Sequence, residues 1–330
     1  MVDPDQALVH GTSDHRRTST DLSFLAHAPS KLRLTSFTLF AYAPQFVAMG
    51  MHAFEAEDLD VNLVSHNGSW SGLIDAIAAD ATDIIVGNIW FALQQWHHAN
   101  ILVPVAHCLQ QCGTVLVQRH AETTQPFDWN RLQGTTIAVQ SDVPTPWIAL
   151  RESLATQGVP LDRVRIILGF NTQETLEALE TRAVDYAVLH IDRIYGSSVR
   201  EVATLAQVLG PVPWSVFFAS SNRIREDPEP YLRFRRAIET ALVWIRNHPS
   251  EEVARLIEPW FRSVRPTVAT AIIERYRKLD GWPARPMLLK ADVDRWQGAL
   301  VRWGMMPAPV PLHGLLSFVH TPDAAGDTTT

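Results

Sequence analysis

The chain has 330 residues, 46% of them hydrophobic and 19% charged, with a formal net charge of −7. This is the composition of a globular protein longer than one typical core, so two lobes are expected. The acidic balance excludes a nucleic-acid footprint, and lysine occurs only at Lys31, Lys278 and Lys290, which argues against Schiff-base chemistry.

Residues 1–31 read as a polar tail. It lacks the apolar core of a secretory signal, although Arg16-Arg17 followed by the short apolar run LSFLA resembles a twin-arginine start. The expected location is cytoplasmic, or periplasmic if that start is functional. No apolar run reaches the roughly 18 residues of a membrane helix, so no membrane insertion is expected.

From residue 32 a rhythm begins. A strand at 32–38 ends in a tip at 40–44 that opens a helix to about 54, with Pro44 suited to the first helical turn. A strand at 61–65 ends in a tip at 66–70 and feeds an amphipathic helix at 72–79. A strand at 84–86 has its tip at 87–90 and a helix to about 98, followed by a strand at 102–107. Strands that end in polar turns and feed helices are the unit of a parallel α/β sheet, whose ligands sit outside the carboxyl ends of the strands. The rhythm then repeats. After a strand at 113–119 come strands at 136–139, 164–168 and 186–189, with tips at 141–147, 169–172 and 190–192 and helices to 157 and at 174–181. Residues 202–209 and 215–219 read as strands, the second returning toward the first lobe. The remainder is helical (231–247, 250–261, 267–278, 291–303) before a small polar tail at 321–330.

The tips supply neutral polar groups and aromatics: Tyr42, His66, Ser69, Trp70, Asn88, Trp90, Gln111, Ser141, Thr145, Trp147, Asn171, Asp192 and Trp214. If two lobes face each other, these residues converge on one cleft. Backbone N–H groups, hydroxyls and indole rings there suit a small anion with an apolar or planar body. Capping is the ordinary role of Ser and Thr at helix starts, and packing that of any single Trp. His66 and His190 are candidate acids or bases, with Asp192 placed to orient His190, and Cys112 is a candidate nucleophile. Cys108 and Cys112 are spaced C-x-x-x-C beside His107, with His97 and His98 upstream. This is no recognised zinc spacing, so no metal and no cofactor is expected.

The stretches FEAEDLDVNLV (54–64), LIDAIAADATDIIVGN (73–88), RLQGTTIAV (131–139), ALETRAVDYAVLHID (178–192) and VFFASSNRIREDPEPYLRFRRAIETALVWIRNHPSEE (216–252) carry a resemblance. They resemble the SsuA/THI5-like solute-binding proteins of aliphatic sulfonate, nitrate and taurine importers, whose fold is shared with the thiamine pyrimidine precursor synthases. The resemblance covers roughly 32–303. It implies a two-lobe type II periplasmic-binding-protein-like α/β fold with a hinge, lobe one being 32–111 plus 213–320 and lobe two 112–212. It also implies a substrate-binding component that closes on a small sulfonate, carboxylate or aromatic acid and delivers it to an ABC permease. The alternative is a cytoplasmic enzyme on the same fold, acting on a small aromatic or heterocyclic substrate. Two departures bear on that alternative. The lysine after strand three of the synthases is replaced by Asn88-Ile89-Trp90, with no cysteine-rich patch, and the first-tip cysteine of aromatic sulfinate desulfinases falls nearest Phe40. Where the family usually has Gly in its two helix-to-strand turns, this chain has Asp80 and Arg182.

Overall fold

The structure is a computed structural model that describes residues 28–64, 69–96, 102–119, 127–140 and 144–318. The first third of the chain lays down β1 (Ser30–Thr35), α1 (Ala43–Gly50), β2 (Leu59–Leu63), α2 (Trp70–Ala78), β3 (Ile84–Gly87), α3 (Trp90–Gln95) and β4 (Leu102–Leu109). The middle third gives β5 (Thr114–Arg119), β6 (Thr136–Val139), α4 (Thr145–Thr156), β7 (Arg165–Leu168), α5 (Thr172–Glu180), β8 (Tyr186–His190), β9 (Val199–Thr204) and α6 (Leu205–Leu209). The chain ends in β10 (Ser215–Ser220), α7 (Ser221–Glu226), α8 (Glu229–Asn247), α9 (Ser250–Ile257), α10 (Pro266–Lys278), α11 (Lys290–Arg302) and α12 (Leu312–Leu316).

Two five-stranded sheets result, ordered β2-β1-β3-β10-β4 and β7-β6-β8-β5-β9. Each has three parallel strands, β1 between β2 and β3 in one and β6 between β7 and β8 in the other. In each, an antiparallel strand takes the fourth place, β10 or β5. Both of these strands come immediately after the chain has crossed from one sheet to the other, so the two lobes have the same plan. The apolar runs of β3 and of β8 are buried because parallel strands are covered on both faces. In the first lobe Phe46, Phe54, Phe217 and Phe234 fill the space between sheet and helices, with Phe54 stacked on Phe234 at 5.1 Å. In the second, Val115–Val117 of β5 pack with Ile137, Leu150 and Leu189.

Two expectations need correction. Residues 202–209 are not one strand: β9 begins earlier and ends at Thr204, and Leu205–Leu209 form a short helix that buries Leu205 and Ala206 and stops at Gly210, where φ is 68°. An apolar run of that length suits either period, and tertiary packing chose. The helix after the first tip stops at Gly50 rather than near 54; His52 then takes φ 58° and the chain turns into β2. Asp80 and Arg182 adopt φ 55° and 61°, the left-handed conformation that glycine meets without strain. Asp80 is held there by Arg223 and Arg33. Among the described residues no helix is long and apolar enough to cross a membrane.

Candidate functional site

At the end of β1 the chain turns through Leu39 into one tight helical turn, Phe40–Tyr42, that runs into α1 with Pro44 in its first turn. Tyr42 is buried, its hydroxyl against Ser215. Burial pushes its phenol well above the ordinary range, with the neighbouring Cys108 adding to the shift, so it stays protonated. At the β3 tip, Asn88 spends its side chain on the backbone. Its amide nitrogen donates to the Trp214 carbonyl at 2.8 Å, and its oxygen accepts from the Trp90 N–H at 3.0 Å. This ties the tip of β3 to the segment that leads into β10. Gly87 is required there because a Cβ would stand 2.4 Å from the Phe91 ring.

The second lobe contributes Thr145, buried at the start of α4, and His190, the last residue of β8. Tyr42, Asn88, Thr145, His190 and Trp214 line one cleft, joined by Leu39, Ala41, Phe91 and Ser215. Among the described residues the cleft measures about 390 Å³ including space open to solvent. Among these residues there is neither lysine nor arginine. Sequence reasoning missed Ser215 although it adjoins Trp214, and missed Phe91 although it opens a helix behind a tip. Leu39 and Ala41 carry no chemical signal at all.

Several expected residues have other work. Ser69 caps α2, accepting from the Gly72 N–H at 3.0 Å, and Asn171 caps α5 in a reciprocal capping box with Glu174. Trp147 is half-buried with the Arg151 guanidinium 5.1 Å from its ring centre. Trp70 opens α2. Asp192, just beyond β8, turns both carboxylate oxygens to the first lobe, accepting from the Phe40 N–H at 2.7 Å and the Tyr276 O–H at 2.6 Å. Cys112 does not suit a nucleophile: it is fully buried, its sulfur 3.1 Å from the Thr114 hydroxyl, and burial pushes its thiol up to about 12. His66 and Ser141, like His97, His98 and Arg16-Arg17, lie outside the described residues.

Two expected residues, Trp90 and Gln111, have buried polar atoms with no hydrogen-bond partner among the described residues, the indole Nε1 and the amide Oε1. The Thr35 hydroxyl and the Gln45 Oε1, at and behind the β1 tip, are in the same condition. The same holds for the Arg151 Nε, Ser153 hydroxyl and Trp296 Nε1 elsewhere in the molecule, and none of these residues lines the cleft.

Comparison with known proteins gives a consistent picture. The profile of the family described as "NMT1/THI5 like" matches residues 40–252. The "Putative binding protein YtlA" of Bacillus subtilis (strain 168) is 25% identical over 292 residues, covering 84% of each chain. Among solved structures, the periplasmic aliphatic sulphonate binding protein SsuA of Escherichia coli superposes with a TM-score of 0.69 at 14% identity, over 87% of this chain and 97% of that one. The zinc-bound ligand binding component of an ABC-type import system of Staphylococcus aureus gives 0.68 at 12% identity, over 87% and 96%. At these identities the two structures speak for the two-lobe fold.

Proposed function

The chain belongs to the NMT1/THI5-like family, and from that premise we propose that it binds a small organic anion between its lobes as the substrate-binding component of an ABC importer. The anion is a sulfonate, a carboxylate or an aromatic acid. The observation that carries this reading is the Phe40 N–H at the first strand tip, which already holds a carboxylate oxygen, that of Asp192, at 2.7 Å. An amide N–H that donates to an anionic oxygen of its own chain is suited to donate to one of a ligand. With no lysine or arginine in the lining, N–H and O–H donors meet the charge. Tyr42 and Thr145 stand in the walls, and the Phe91 and Trp214 rings offer an apolar body contact.

The lobes would hinge where the chain crosses between sheets, after β4 and before β10, along the division 32–111 plus 213–320 against 112–212. An importer component works outside the cytoplasmic membrane, so this reading replaces the cytoplasmic location expected from the N-terminal tail with a periplasmic one. The likeness to the periplasmic sulphonate binding protein of Escherichia coli supports it. Its partner would be an ABC permease.

The test is a titration of the purified chain with short alkanesulfonates, benzoate-type acids and nitrate, followed by tryptophan fluorescence and calorimetry. A saturable response to at least one organic anion is expected. No response to any anion, together with saturable binding of an uncharged or cationic compound, would overturn the anion reading.

A further inference from the structure

Three acidic residues of the second lobe reach across to the first. Asp192 takes the Phe40 N–H and the Tyr276 O–H. Glu201 of β9 pairs with Arg275, whose Nε donates at 3.1 Å and whose guanidinium also reaches the Thr204 hydroxyl at 2.8 Å. Glu152 of α4 pairs with Arg302 and accepts from the Trp303 Nε1–H at 2.8 Å, while Arg151 beside it lies 4.4 Å from the Trp303 ring centre. Apart from Phe40, every first-lobe partner comes from α10 or the end of α11. Both helices are fastened to the first lobe by aromatic contacts. Tyr276 of α10 packs at 5.4 Å on Trp282, whose indole donates to the Ala41 carbonyl, and Trp296 of α11 packs on Trp214 at 5.8 Å. Both lie beyond residue 252, where the family match ends.

We propose that α10 and α11 form a strap that holds the two lobes together, with Asp192, Glu201 and Glu152 as its anchors. The anchors lie on both sides of the cleft that Tyr42 and Asn88 of the first lobe and Thr145 and His190 of the second line, so the strap holds its two walls together. One of its two ion pairs is sheltered: the Arg275 and Glu201 side chains are 18% and 20% exposed, and salt screens such a pair less than a surface one, whereas Arg302 of the other pair is exposed. Arg275 and Tyr276 are consecutive, so one movement of α10 releases two anchors together. The bonded and released arrangements of the lobes are then two states, and a ligand that prefers one of them shifts the population by its differential affinity. Asp192 is an anchor rather than a ligand contact, both its oxygens being taken from the opposite lobe.

The strap is testable without any ligand, so its failure and that of the anion reading are separate events. Leu63 and Leu168 end the edge strands β2 and β7, one on each sheet, and are 40% and 48% exposed. Spin labels at Leu63→Cys and Leu168→Cys report the distance between lobes, since Cys108 and Cys112 are buried and their thiols unreactive. In the full-length chain a single short distance is expected. In the pair of substitutions Tyr276→Phe and Glu201→Gln a longer distance should dominate, with the open population raised at least about tenfold if each lost charge-assisted bond holds its usual share. Glu152→Gln, at the other end of the strap, should move the distribution the same way, and it decides the matter if the paired variant does not fold. An unchanged distribution in the folded variants, or a long distance in the unsubstituted chain, would overturn the strap.

Discussion

Tyr42 offers the cleft a buried hydroxyl that stays protonated, so it can donate to an anion at any physiological pH. Tyr42→Phe should cost about 1 kcal/mol of stability by leaving the buried Ser215 without its partner, and weaken the responding anion by up to about tenfold, the worth of one hydrogen bond; the fluorescence titration reads the second effect directly. Gly87→Ala should act on the same wall by another route, displacing the Phe91 ring that lines the cleft, and change affinity without touching a polar contact. His107 lies away from the cleft, fully buried between the Met287 and Leu109 carbonyls, and burial lowers its pKa to about 4 despite those oxygens. Its folded pKa is below that of the unfolded chain. The stability it contributes is therefore whole above pH 6.5 and is lost as pH falls from 6.5 through 4, a loss on the order of 2–3 kcal/mol. Melting curves between pH 7.5 and 4.5 should show this slope, and His107→Gln should flatten it.

Elements explain why several polar tips are not ligand contacts. A strand-to-helix turn must satisfy the first N–H groups of its helix, and Ser69 and Asn171 do that for α2 and α5. Asn171→Ala should cost about 1 kcal/mol in a denaturant melt and leave anion affinity unchanged; a loss of affinity would return Asn171 to the cleft. The opposite ends of α2 and α5 show a local cost. Arg182 holds φ 61° and, among the described residues, has no ion pair like those that steady Asp80, so Arg182→Gly should raise stability by roughly 0.5–1 kcal/mol. The strand–helix alternation was legible because buried parallel strands and amphipathic helices have distinct periods. The split at Leu205 was not, since VATLAQVL satisfies both.

At the scale of the molecule, the repeated plan of the sheets places their strand tips face to face, and the C-terminal helices lie across the gap. With α10 and α11 bonded to both lobes, heating should give one calorimetric transition rather than two. The Tyr276→Phe and Glu201→Gln pair should broaden or split it. Saturating anion should raise the midpoint in proportion to the logarithm of its concentration over Kd.

The order of strands and helices, the two lobes and the general position of a cleft at the tips follow from the chain's own pattern of apolar runs, glycines and polar turns, which is local information. Which tip residues face the cleft is not local. Asn88, Trp147 and Asp192 look alike in sequence, as polar or aromatic groups after a strand, yet only Asn88 lines the cavity, while Trp147 carries Arg151 and Asp192 is bonded to Tyr276, 84 residues away. Nothing near Tyr276, Arg275 or Trp303 announces a partner in the other lobe, because their partners are set by how two separately built sheets come to rest against each other. That packing also decided that Cys112 is buried and inert rather than reactive. The sequence by itself therefore determined the lobes and their tips, through short-range periodicity and turn chemistry. Only the tertiary structure decided which side chains meet across the cleft, because that depends on distances between residues the chain keeps far apart.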